Sequence, residues 1–202
     1  MKTRIVFMGS PEYALPALRL LDQTYQVAGV VTQPDRPAGR GRTLAPPPVK
    51  QLAEELGLPV MQPKRLREPE SFAQLLAWQP DLIVVAAFGQ ILRQNVLDLP
   101  TLGCINIHAS LLPRWRGASP IQAAIRHGDK QTGVTIMLMD RGVDTGPLLS
   151  QRVVDILPKD TAETLSQRLS ISGAELLVET LPGFINGQIP PVEQDHSLAG
   201  LA

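Results

Sequence analysis

A chain of 202 residues, 44% hydrophobic and 19% charged, can bury a full core as one domain, and its composition is neither disordered nor fibrous. Its nineteen basic and nineteen acidic residues cancel, so the total charge argues for neither nucleic acid nor membrane, and any such affinity must come from a local patch. The one cysteine, Cys104, excludes an internal disulfide and a thiolate zinc site, and no apolar run reaches the ~20 residues that a membrane helix needs.

Met1-Lys2-Thr3-Arg4 leads into a short strand rather than a signal segment, so a cytoplasmic location is expected. Arg4-Ile5-Val6-Phe7-Met8-Gly9 reads as a buried parallel strand that opens at glycine into a turn. Ser10-Pro11-Glu12 offers an N-cap with proline at the first helical position, and Tyr13 to Leu21 has helical spacing. A dinucleotide fingerprint would place Gly-x-Gly-x-x-Gly here; only Gly9 is present, which disfavours a dinucleotide-dependent oxidoreductase.

Gln26 to Gln33 is a second strand. Pro34 to Pro48 then has five prolines, two glycines and no hydrophobic period, so it reads as an extended loop expected to stay unordered without a partner. Between Pro34 and Lys50, Arg36, Arg40, Arg42 and Lys50 stand against Asp35, a balance of four minus one, or +3. Such a segment reads as a solvated linker, or as a finger whose arginines, set between glycines, suit bidentate phosphate contacts with RNA.

Val49 to Leu56 is a helix stopped by Gly57, Pro59-Val60-Met61 a short strand, and Pro69 to Trp78 a helix preceded by Lys64, Arg65 and Arg67. Asp81 to Gly89 is the most apolar run and reads as the central strand. Its carboxyl end, Phe88-Gly89-Gln90-Ile91-Leu92, lies where ligands sit in an open parallel sheet. Gln94 to Leu97 begins a helix or turn.

Gly103 to Gly117 organises the rest. As a strand, Cys104-Ile105-Asn106-Ile107-His108 puts Asn106 and His108 on one face, and Ser110-Leu111-Leu112-Pro113 turns the chain out beside them. A strand histidine is commonly a hydrogen-bonded core residue, so this pattern alone fits structure as well as function. Gly117-Ala118-Ser119-Pro120 caps a helix to His127-Gly128. Gly133 to Met139 is a strand, Asp140 to Gly146 a loop with two carboxylates and two glycines, Leu148 to Ile156 a strand and Thr161 to Leu181 an amphipathic helix. The remainder is proline-rich and reads as irregular. Alternating strands and helices predict a doubly wound α/β fold.

Asn106, His108 and Asp144 lie at the ends of two strands. If they converge, an amide, an imidazole and a carboxylate come within hydrogen-bond reach, about 3 Å, of one point. Cys104, in an apolar strand, reads as buried and inert, Ser110 lacks the glycine elbow of a nucleophile, and His127 and His196 stand apart at expected surface ends. The set suits direct transfer between two bound substrates: Asn106 donating to an oxyanion, His108 acting as base or stabilising charge, and Asp144 orienting it or relaying a proton.

Asn106-x-His108-x-Ser110-Leu111-Leu112-Pro113, followed by Arg116-Gly117 and later Asp144, resembles the signature of the 10-formyltetrahydrofolate-dependent formyltransferases. Phe7-Met8-Gly9-Ser10-Pro11-Glu12 and the run from Thr32 to Arg42 are similar to the members that formylate initiator Met-tRNA. The likeness extends from about Arg4 to Leu181.

The resemblance implies a Rossmann-like, mostly parallel sheet, with Asn106, His108 and Asp144 catalytic. It implies a folate pocket lined by Phe88, Gly89, Gln90, Ile91, Leu92, Ser110, Leu111, Leu112, Pro113, Gly117, Asp140 and Val143. Arg36, Arg40 and Arg42 would meet the acceptor end of the tRNA, Arg40 foremost. The folate is a cosubstrate, no metal is expected, and the chain is expected to be a monomer.

The resemblance also implies a catalytic domain over residues 1–184, with 185–202 a proline-rich tail starting a linker. Members of this type carry a further C-terminal domain of roughly one hundred residues, and this chain stops at Ala202. From Gln151 onward seven acidic residues face three basic ones, so the tail offers no substitute basic surface. Two alternatives stand: a formyltransferase for a small amine, such as glycinamide ribonucleotide or an amino sugar nucleotide, and a folate-binding module without turnover.

Overall fold

An apolar run with no polar alternation must be covered on both faces, and Ile5 to Met8 are fully buried in β1 (Arg4–Gly9) of this computed structural model. The structure describes residues 2–38 and 43–202, which fall into two units, 1–104 and 105–202. In the first, β1 is followed by α1 (Leu15–Thr24), β2 (Gln26–Val31), β3 (Arg36–Ala38), β4 (Thr43–Ala45), α2 (Pro48–Glu55), β5 (Val60–Met61), α3 (Pro69–Trp78), β6 (Leu82–Ala86) and α4 (Gln94–Leu97). Within it β1 pairs in parallel with β2 and β6, and β5 pairs in parallel with β2.

Each fully buried large side chain in this layer, such as Phe7, Leu18, Leu75 or Ile83, contributes about 1.5–3 kcal/mol of transfer free energy. Gly29 is required by close packing: a Cβ there would lie 2.4 Å from the Trp78 ring. Trp78 ends α3 and is tied to β1, because the Arg4 guanidinium donates to its carbonyl at 2.8 and 3.2 Å. Burial, with Asp98 adding to it, raises the Cys104 thiol to about 12, which keeps it protonated and inert as expected.

Two local expectations are corrected. Ser10 is not a helix cap: a 3₁₀ turn at Glu12–Ala14 precedes α1, and the Ser10 hydroxyl accepts from the Gln33 backbone N–H and the Thr32 hydroxyl. The expected structureless loop carries a hairpin, β3 against β4, in which Pro37 pairs with Leu44. A two-stranded ribbon leaves one edge of each strand unpaired, so a proline without an N–H fits. Arg40 and Arg42 lie outside the described residues. Lys50 is paired with Asp35 at 2.9 Å, so these two charges of the basic segment offset each other. The hydrogen bonds from Gln62 and Lys50 hold the Asp35 carboxyl below its usual value.

The second unit holds β7 (Cys104–His108, whose first residue closes the first unit), α5 (Pro120–His127), β8 (Gln131–Leu138), β9 (Leu148–Asp155) and α6 (Ala162–Ile185). β8 pairs antiparallel with both β7 and β9. The ladder sets Asn106 opposite Met137 and His108 opposite Thr135. α6 begins with a capping box between Thr161 and Thr164 and buries Leu165, Leu169, Leu176, Leu177 and Leu181 at helical spacing. It runs through Pro182, in its last turn, to Ile185. The tail after it is not loose: Val192 bridges to Leu148, and Leu201 bridges to Arg116.

Candidate active site

Alternation along β7 turns Asn106 and His108 to one face. The loop after β8 brings Asp144 to the same place. Asn106 Nδ2 donates to Asp144 Oδ1 at 3.4 Å, and His108 Nδ1 lies 3.6 Å from Asp144 Oδ2. The Gly117 backbone N–H donates to Asp144 Oδ2 at 2.9 Å, so this carboxylate is the hub of the cluster. The expected convergence of the three side chains is present.

His108 is buried, and its Nε2 lies 2.9 Å from the Trp115 carbonyl oxygen. A carbonyl only accepts, so Nε2 carries the hydrogen, and in the neutral imidazole Nδ1 has the lone pair. That lone pair faces a carboxylate oxygen, itself an acceptor. The two acceptors together make a place for a proton or an N–H group arriving from outside.

The backbone is bent to achieve this. Asp144 has φ +52° and Trp115 φ +59°, both in the left-handed region, at a cost of order 1–3 kcal/mol each that the surroundings must hold. Trp115 is pinned by its indole Nε1, which donates to Asp129 Oδ2 at 2.7 Å, and by the Arg114 guanidinium stacked 4.4 Å above its ring. Partial burial raises the Asp129 carboxyl, but the hydrogen bonds from Arg114, Trp115 and His127 together outweigh it and lower it. His127 and His196 are exposed and apart, as expected, and each has its own partner: His127 Nδ1 lies 3.0 Å from Asp129, and His196 Nδ1 lies 3.0 Å from Arg116.

The loop between β7 and α5 is set from within. The Ser110 hydroxyl donates to the Arg114 carbonyl at 2.6 Å, while Thr135 donates to the Ser110 carbonyl and accepts from the Leu112 N–H. Leu112 is buried, and Gln151 donates to its carbonyl at 2.9 Å. Pro113 accepts at its carbonyl from the Gly200 N–H. Ser110 is thus a loop-shaping residue. Asp140 is similarly occupied, accepting from the Gly142 N–H and the Thr145 hydroxyl, and Val143 is exposed.

In the first unit, Phe88 and Leu92 are buried and Ile91 is exposed. Gln90 spends its amide on Leu66 N and Pro63 O, and Gln33 Nε2 donates to the Phe88 carbonyl at 3.0 Å, so the turn at Gly89 is held at both ends. Arg36 is exposed, its guanidinium donating to Gln33 Oε1. Among the described residues, no group of three His, Cys, Asp or Glu gathers as metal ligands, and no helix is long and apolar enough to cross a membrane.

Sequence reasoning missed Gln194. It is buried, and its amide donates to the carbonyls of Asp144 at 2.9 Å and Gly146 at 2.7 Å. Nothing in its surroundings, Val192-Glu193-Gln194-Asp195, marks it, because the contact joins residues fifty apart.

Residues 3–181 match the family model described as formyl transferase. The chain is 55% identical over 195 residues to a methionyl-tRNA formyltransferase of Trichlorobacter lovleyi, covering 96% of this chain and 62% of that protein. It is 54% identical over 201 residues to that of Geobacillus thermodenitrificans, covering 99% and 63%. The chain thus spans under two thirds of the length of these relatives. Among solved structures, phosphoribosylglycinamide formyltransferase of Streptococcus pneumoniae superposes with a TM-score of 0.74 at 25% identity, covering 92% of this chain and 99% of that one. Glycinamide ribonucleotide transformylase 1 of Symbiobacterium toebii superposes at 0.77 with 23% identity, covering 96% and 95%. The expected α/β formyltransferase fold is borne out.

Proposed function

The chain belongs to the formyl transferase family, and on that footing we propose that it moves the formyl group of 10-formyltetrahydrofolate to the amino group of the methionyl moiety of initiator Met-tRNA, for translation initiation. The convergence of Asn106, His108 and Asp144 on one point carries the reaction type. The acceptor is supported by 54–55% identity to methionyl-tRNA formyltransferases over nearly the whole chain, against 25% to a phosphoribosylglycinamide formyltransferase. An acceptor of this kind places the reaction in the cytoplasm.

The neutral amine attacks the formyl carbon, and the carbonyl oxygen becomes an oxyanion. An amide nitrogen has two N–H groups; with one of them directed at Asp144, Asn106 can offer the other to that oxygen. The attacking nitrogen must lose a proton as the C–N bond forms, and His108 Nδ1 faces the site as a base, its tautomer fixed by the Trp115 carbonyl. Asp144 stabilises the imidazolium so formed. The bond to N10 of the folate breaks, and the same proton passes to N10, so the reaction consumes no net proton and forms no covalent intermediate on the protein.

The residues proposed to contact the folate are Ser110 to Pro113, Gly117, Asp140 and Val143 in the second unit and Phe88 to Leu92 in the first. Arg36, Arg40 and Arg42 would face the tRNA phosphates as bidentate donors. We read residues 1–184 as the catalytic domain, with 185–202 folded back on it.

The test is an acceptor comparison with 10-formyltetrahydrofolate as donor: initiator Met-tRNA, glycinamide ribonucleotide and an amino sugar nucleotide. Formyl-Met-tRNA should form and the small amines should stay unmodified. Formylation of a small amine in preference to Met-tRNA would overturn the acceptor, and folate binding without any transfer would overturn the enzymatic reading.

A further inference from the structure

The tail from Val192 to Ala202 is stitched to both loops that build the site. Leu148 and Val192 exchange two backbone hydrogen bonds, of 2.7 and 2.9 Å. Arg116 N–H donates to Gly200 O at 2.8 Å, Ala202 N–H donates to Arg116 O at 2.7 Å, and Gly200 N–H donates to Pro113 O at 3.1 Å. One anchor therefore lies beside the Asp144 loop, and the others fall on Pro113 and Arg116, the latter directly preceding Gly117, whose N–H binds the Asp144 carboxylate.

Gln194 joins the two sides through its side chain. Its Oε1 accepts from Arg116 Nε at 3.1 Å and Nη2 at 2.7 Å, and its two N–H groups go to the carbonyls of Asp144 and Gly146. Arg116 is itself buried; Nη2 also meets His196 Nδ1, and among the described residues no carboxylate pairs with it. An arginine only donates, so that end of Gln194 must accept; two carbonyls only accept, so the other end must donate. Among side chains of this length only glutamine does both. A structure that merely neutralised Arg116 would use glutamate.

We propose that Gln194 is a positioning residue for Asp144. It holds the backbone carbonyl of a residue kept in the left-handed region, and with it the direction of the carboxylate, so segment 192–202 is a working part of the site although it lies outside the matched residues 3–181. Asp144 acts on the substrate; Gln194 acts through Asp144. The kinetic part rests on the reaction proposed above, and the exchange measurement below does not.

Gln194→Glu and Gln194→Ala separate the alternatives. Glutamate keeps a partner for Arg116 but turns a carboxylate toward two carbonyls. Both variants should lose kcat by about 10–100-fold with KM for the folate nearly unchanged, the scale expected of a misplaced catalytic group, and glutamate should not rescue alanine. Independently of turnover, hydrogen exchange at the Gly117 amide should accelerate about ten-fold or more in both, while amides in the β8–β9 ladder keep their protection. Full kcat in Gln194→Glu, or exchange that rises equally at Gly117 and in β8, would overturn the inference. Absence of formyl transfer by the unsubstituted chain would sink the reaction instead, and the exchange result would still decide the role of Gln194.

Discussion

Asp144→Asn should lower kcat for formyl transfer by about a thousand-fold, within the range that general acid–base groups supply, while the protein stays folded. Asparagine tolerates the left-handed backbone that Asp144 occupies, so the change adds little strain. Its side-chain oxygen can still accept from the Gly117 N–H. What it cannot do is face His108 Nδ1 with a negative charge, and an imidazolium formed during transfer loses its stabilising partner. The loss should appear in kcat, with KM for the folate changed only a few-fold, because Asp144 acts on charge that develops during the reaction. Turnover within three-fold of wild type, by the same steady-state assay, would show that Asp144 is a structural hub only.

Gly133→Ala should destabilise the protein by about 3 kcal/mol, the upper part of the usual overpacking range. A Cβ on Gly133 would lie 2.2 Å from the Arg152 carbonyl oxygen and 2.5 Å from Leu111 Cδ2. The leucine tip can rotate away, but the carbonyl belongs to the paired strand β9, where Gly133 lies opposite Val153. The ladder must spread. For a chain of this size the melting temperature should fall by about 6–12 °C. Gly128→Ala is the control: a Cβ there meets nothing within 4 Å, but φ is +74°, so only backbone strain of about 1 kcal/mol is expected. Equal losses in the two variants, measured by thermal unfolding, would show that space at Gly133 is not limiting.

The parts legible in the sequence were those governed by local pattern. Period-two alternation in Cys104 to His108 assigned the face of Asn106 and His108, and the short loop after an apolar strand identified Asp144, because strand ends in α/β proteins place side chains with little freedom. Apolar runs predicted β1 and β6, and amphipathic spacing from Thr161 to Leu181 predicted α6. Illegible were contacts between distant backbone groups. The Trp115 carbonyl that fixes the His108 tautomer has no side-chain signature, and neither does the carbonyl pair that Gln194 holds. Ser10 reads as a cap because hydroxyls cap helices, but the Thr32 hydroxyl and the Gln33 N–H, just past the end of β2, took its oxygen. The β3–β4 hairpin was hidden because a two-stranded ribbon among prolines needs no hydrophobic period.

Single-turnover transfer with 10-formyltetrahydrofolate labelled in the formyl group, this chain in excess and initiator Met-tRNA as acceptor, addresses the central claim most directly. The label should pass to the methionyl amino group in one phase, none should remain on the protein when the acceptor is omitted, and Asp144→Asn should slow that same phase. Label held covalently by the protein, or released as formate without amide formation, would contradict direct transfer by Asn106, His108 and Asp144.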